Sequence, residues 1–152
     1  MANLWTGKTV VIADDSALVR GVLEKQFQQA GMKVIGKATN GVEAIDMVTK
    51  LNPDLLSLDI IMPEMSGLEC YRLLRAQGVV LRVLLTSCLA SEPSVVAGLA
   101  SEVPAHIFLP KPFDQVLLEG RLFRVFSELE KPLGSDLPAL SAQNEDATLA
   151  AS

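Results

Sequence analysis

The sequence predicts an α/β fold, a doubly wound parallel sheet with helices on both faces, and two observations carry the prediction. Short apolar runs alternate five times with amphipathic helical stretches between Lys8 and about Glu130, and that alternation means parallel strands joined by right-handed crossovers. The runs are also apolar at nearly every position, as in Leu55, Leu56 and Leu58, which suits strands buried on both faces. A chain of 152 residues that is 49% hydrophobic and 20% charged has the size and core content of one compact domain.

The units read in order. "KTVVIA" (Lys8 to Ala13) is a β-branched strand, Asp14, Asp15 and Ser16 form a loop, and Val19, Leu23, Phe27 and Ala30 share one helix face that Gly31 ends. "KVIGKA" and then "NGVEAIDMVTKLN", closed by Pro53, repeat the unit; "DLLSLD" with "SGLECYRLLRAQG" is the third. "RVLLTS" with "EPSVVAGLASEV" is the fourth, and "HIFLPKPF" with "DQVLLEGRLFRVFSELE" the fifth. The composition changes after Glu130 to Ala, Ser, Pro, Asp and Gly without periodicity, so residues 1–130 read as the domain and 131–152 as a disordered tail.

Several function classes are excluded. A net charge of −5 argues against the chain tracking nucleic acid, which needs a basic stripe. No run reaches the roughly 18 apolar residues of a membrane span, and "MANLWTGK" lacks the apolar core of a signal peptide. A cytoplasmic location is expected. Cys70 and Cys88 sit in apolar surroundings and read as reduced core thiols.

Polar residues that break the apolar pattern fall at strand ends: Asp14 and Asp15 after the first, Asp59 at the third, Thr86 and Ser87 at the fourth, Lys111 after the fifth. In an open α/β sheet these ends border the ligand crevice. Singly they have ordinary alternatives: a helix cap, a strand-end threonine, a Lys-Pro turn. Asp59 is harder to explain, because a carboxylate closing a buried strand is costly unless paired. Three converging carboxylates repel, Lys111 offsets one charge, and an all-oxygen donor set without nearby His or Cys selects a hard divalent ion, Mg²⁺ over Ca²⁺. With a cation, the Lys111 ammonium and the Thr86 hydroxyl beside it, Asp59 is placed to accept a phosphoryl group as an acyl phosphate.

"VVIADDS", "LLSLDIIMPEMSG", "VLLTS" and "IFLPKPF", in that order, resemble the receiver domain of bacterial two-component response regulators from Lys8 to about Glu130. The resemblance implies a flavodoxin-like (βα)5 fold with strand order 2-1-3-4-5. It implies Asp59 as phosphoacceptor, and Asp14, Asp15, Asp59 and the Ile61 carbonyl around Mg²⁺. It also implies Thr86 as the switch hydroxyl, Lys111 as phosphoryl contact with a cis bond to Pro112, and Phe108 at the aromatic switch position. Partners would be a sensor histidine kinase or histidine phosphotransfer protein, and a downstream target or a second copy. Departures are "VPAH" around Pro104, a second hydroxyl at Ser87, and Phe108 without a phenolic OH, so switching there rests on ring packing. His106 reads as structural or exposed. Ile61 and Cys88, which border the path of an attacking water in the family, cannot orient it, so a long-lived phosphoryl group is expected.

On the first helix Leu18 lies well off the buried face, and with Ala17 and Gly21 it forms the expected kinase-docking surface. On the fifth helix Leu118, Leu122, Val125 and Leu129 form the core face, leaving Val116 and Phe123 as an apolar output strip with the fourth helix, whose Gly98 weakens it. The alternatives are a phosphorelay intermediate or sink, an aspartyl-phosphate hydrolase, and a flavin carrier. The hydrolase pattern needs an Asp where Ile61 stands, and the carrier needs a phosphate loop where Asp14 and Asp15 stand.

Overall fold

The computed structural model describes residues 3–87, 103 and 107–127. The elements are β1 (Thr9–Ala13), α1 (Ala17–Gln29), β2 (Lys33–Ala38), α2 (Gly41–Leu51), β3 (Leu55–Asp59), α3 (Gly67–Ala76), β4 (Arg82–Ser87), β5 (Phe108–Pro110) and α4 (Gln115–Val125). Here α4 is the fifth predicted helix. The stretch expected to form the fourth, with Gly98, lies outside the described residues, as do Cys88, Pro104, His106, Leu129 and the tail from 131.

Five parallel strands form one sheet in the order β2-β1-β3-β4-β5, the order the resemblance implies. All five residues of β3 are buried, as its central position demands. Alternation along the strands divides the core in two. Val11, Leu56, Leu58, Val83, Leu85 and Phe108 pack on one face, where Cys70, Tyr71 and Leu74 of α3 cover them. Val10, Ile12, Leu55, Leu84 and Leu109 pack on the other, against Leu23 and Phe27 of α1 and Leu118, Leu122 and Val125 of α4.

Local chemistry sets the helix starts. Ser16, Asn40 and Asp114 each accept the amide three residues on, from Val19, Glu43 and Leu117, and Ser66 with Glu69 makes a reciprocal capping box. α2 stops at Asn52 in the left-handed region (φ 48°) before Pro53. β5 is shorter than "HIFLPKPF" suggests, because Pro110 ends it and prolines offer no amide to a ladder. No periodicity marks the N-terminal segment as part of the core, yet Trp5 is buried and its Nε1 donates to the Ala30 carbonyl at 2.8 Å. Among the described residues no helix is long and apolar enough to cross a membrane. Cys70 is buried, which pushes its thiol up to about 12, so it is an inert core residue.

Candidate functional site

Asp14, Asp59, Thr86 and Lys111 each continue, by an even number of residues, the strand face that carries Ile12, Leu55, Leu84 and Leu109. They therefore project on the α1 and α4 side of the sheet, in one row across four strands. Register makes the row tight, since Asp59 pairs with Thr86 and Thr86 with Leu109, two residues before Lys111.

The carboxylate oxygens of Asp14, Asp15 and Asp59 lie within 4.8 Å of one another. Asp14 and Asp59 are buried and Asp15 is exposed, which leaves the cluster open to solvent on one side. Lys111 Nζ stands 2.8 Å from Asp14 Oδ2 and 3.5 Å from Asp59 Oδ2. Asp14 Oδ1 accepts the Ser16 amide at 2.9 Å, and the Ile61 amide approaches Asp59 Oδ1 only at 3.5 Å, a weak contact. Asp59 is thus less well satisfied than Asp14. Burial pushes its carboxyl up to about 6, with Lys111 pulling down and Asp14 pushing up. Lys111 experiences the reverse: burial works against its ammonium, but the bond to Asp14 and the charges of Asp59 and Asp14 outweigh it and hold the group above its usual range.

The donor set fits a hard divalent ion. Three carboxylates share one bonded ammonium, every candidate ligand is oxygen, and the cluster has a solvent side where waters complete a shell. The Thr86 hydroxyl is buried without a hydrogen-bond partner among the described residues, which is expensive unless a ligand is to receive it.

Two backbone features hold the loop after Asp59. Gly67 packs so close to β3 that a Cβ there would meet the Asp59 carbonyl carbon at 2.7 Å and Ile60 Cα at 2.9 Å. Glu64 adopts φ 67°, left-handed for a residue with a side chain. The Lys111–Pro112 bond is cis, as the resemblance implies.

The remaining predicted residues separate. Phe108 is buried on the opposite face of the sheet from the row, with its carbonyl accepting Arg121 Nε at 2.8 Å. Ala17, Leu18 and Gly21 are exposed on α1, Leu18 to 80%. Leu18 and Val22 line an apolar groove of about 340 Å³ with Gln26, Pro112 and Phe113 that reaches Lys111, and the same two residues border a second hollow of about 230 Å³ with Ala17 and Gly21. Val22 and Gln26 had no motif to announce them, and Phe113 closes "IFLPKPF" without a role read for it; Gln26 Nε2 donates to the Phe113 carbonyl at 2.8 Å and so ties α1 to the loop that carries Lys111. Val116 and Phe123 are exposed on α4, at 81% and 62%.

Residues 10–123 match the response regulator receiver domain family. The chain belongs to that family. This receiver domain is 34% identical over 107 residues to chemotaxis protein CheY of Thermotoga maritima, covering 70% of the chain and 88% of that protein. It is 31% identical over 153 residues to a protein-glutamate methylesterase/protein-glutamine glutaminase of Treponema pallidum, covering 90% of the chain but spanning only 38% of that protein. Among solved structures it resembles the CheX-CheY-BeF3-Mg²⁺ complex from Borrelia burgdorferi, with TM-score 0.70, 30% identity, and coverage of 81% of this chain and 92% of that one. Receiver domains are phosphorylation-dependent switches of two-component signalling, and this chain has their fold and sheet order.

Proposed function

We propose that Asp59 is the phosphoacceptor of this switch, supported above all by the single row of Asp14, Asp59, Thr86 and Lys111 across four strand ends. A carboxylate oxygen of Asp59 attacks phosphorus, the bond from phosphorus to the imidazole nitrogen of a phosphohistidine (or to the acyl oxygen of acetyl phosphate) breaks, and an acyl phosphate forms on Asp59. Asp14, Asp15, Asp59 and the Ile61 carbonyl would hold Mg²⁺, whose charge supplies neutralisation of the phosphoryl oxygens. Lys111 already touches Asp59, so its ammonium needs only a small movement to follow the incoming charge. Thr86 donates its unpaired hydroxyl to a phosphoryl oxygen, which draws the end of β4 toward Asp59. Phe108, next to β4 on the other face, repacks in response. The chain has no further enzymatic activity in this reading.

The signal arrives from a histidine kinase or phosphotransfer protein and leaves through a target protein or second copy at Val116 and Phe123. The apolar groove beside Leu18 gives the donor a surface that ends at Lys111, which supports docking at Ala17, Leu18 and Gly21. Leu18→Glu should slow transfer from the cognate kinase at least tenfold and leave acetyl phosphate labelling unchanged; equal loss of both would contradict docking there. The domain closes at about residue 130, and the chain acts in the cytoplasm without contacting nucleic acid directly. Intact-mass analysis tests the reading: acetyl phosphate with Mg²⁺ should add one phosphoryl group, and chelator should prevent it. Labelling unaffected by chelator would refute the metal assignment, and no labelling would refute the reading.

A further inference from the structure

We propose that Arg20 is a positioning residue for the acidic corner, holding the Asp14 carbonyl so that the Asp14 and Asp15 carboxylates stay aimed at one divalent cation. The inference rests on the reading of Asp14, Asp15 and Asp59 as Mg²⁺ ligands.

Arg20 lies on α1, and its Nη1 donates to the Asp14 carbonyl at 2.6 Å in a partly buried setting. Asp14 follows the last paired residue of β1, Ala13, where the chain leaves the sheet for the loop that carries both carboxylates. Its other bonds are the amide to the Ala38 carbonyl at 3.0 Å, Oδ1 from the Ser16 amide and Oδ2 from Lys111. Lys111 must loosen from Asp14 when a cation or phosphoryl group arrives, so that contact cannot keep the corner in place during function. The Arg20 bond is made to the backbone and can persist, and a planar guanidinium fixes a carbonyl more rigidly than an ammonium does.

The Arg20 charge is also felt at Glu43 on α2. Glu43 accepts the Thr39 amide at 2.8 Å and the Thr39 hydroxyl at 2.7 Å. Its carboxyl sits below the usual range, through the Thr39 amide first and the Thr39 hydroxyl next, with burial opposing and the Arg20 charge adding to the lowering. The bond that Arg20 makes is the one to the end of β1, and its effect at the start of α2 is one of charge.

Positioning and charge make opposite predictions. A cation beside three carboxylates weakens Mg²⁺ binding by repulsion, so deleting Arg20 would tighten binding if its charge were all that mattered. Loss of the carbonyl contact loosens the ligands and weakens binding, by about tenfold on the scale of outer contacts to metal ligands. Calorimetric titration of the full chain with Mg²⁺ alone decides between them. Arg20→Met should bind about tenfold more weakly and Arg20→Lys at an intermediate affinity, because one donor remains. Acetyl phosphate labelling of Arg20→Met should reach the wild-type rate at saturating Mg²⁺, a recovery that general unfolding would not allow. If Arg20→Met melts at the assay temperature, the Arg20→Lys affinity alone serves. Unchanged or tighter Mg²⁺ binding in the variants overturns the inference, whereas a wild-type chain that binds no Mg²⁺ overturns the ligand reading beneath it.

Discussion

Gly67→Ala should destabilise the domain by about 3 kcal/mol or more, the upper range for forcing atoms into filled space. The added Cβ would meet the carbonyl group of Asp59 and Ile60 Cα. These are backbone atoms, so no side chain can rotate away. Gly67 N also donates to the Ile60 carbonyl at 2.8 Å, and moving α3 to make room would break that bond and shift Asp59. Gly120→Ala provides the contrast within the same chain: nothing lies within 4 Å of a Cβ there, and the helical position should gain about 1 kcal/mol. Urea denaturation of the two variants measures the difference. A Gly67→Ala protein as stable as wild type would show that the turn after β3 is not built this closely.

Asp59→Asn should abolish phosphorylation and, without Mg²⁺, raise the melting temperature at neutral pH. The sign follows from burial. The carboxyl titrates at about 6 in the folded chain against its ordinary 3.8, so between those values the folded state holds a proton that the unfolded state has released. Stability therefore falls as pH rises through that window, and the loss persists above it. Asn carries no charge and escapes the loss. The melting difference between Asp59→Asn and wild type should be largest above pH 6 and vanish below about pH 4, and Mg²⁺ should stabilise wild type while leaving the variant nearly unchanged. Thermal melts across pH, with and without Mg²⁺, check each part; a variant less stable than wild type at pH 8 without Mg²⁺ would contradict the strain assigned to Asp59.

The strand ladder was legible because a parallel sheet buried on both faces must write apolar residues at consecutive positions, as Leu55, Leu56 and Leu58 do. The row of polar residues was legible for a related reason: Asp59 and Thr86 fall toward the ends of runs that are mostly apolar. Hydrogen bonds that join distant segments left no such trace. No motif singles out Arg20, and only the fold brings its guanidinium to the Asp14 carbonyl. Gln26 and Phe113 are 87 residues apart in sequence, and no local pattern couples them. Trp5 precedes the first strand, where a lone aromatic has no periodicity to mark it as core. The closeness of Gly67 to Asp59 had a partial signal, since glycine in "MPEMSG" announces a turn, but a turn glycine need not touch the strand it follows.

Reductive trapping identifies the phosphorylated side chain. Borohydride reduces an acyl phosphate to an alcohol, so a phosphorylated aspartate becomes homoserine, which peptide mass spectrometry places in the sequence. After treatment with acetyl phosphate and Mg²⁺, the peptide spanning β3 should carry homoserine at position 59, and chelator should remove the signal. Homoserine at position 14 or 15, or undiminished labelling of the Asp59→Asn chain, would show that Asp59 is not the phosphoacceptor.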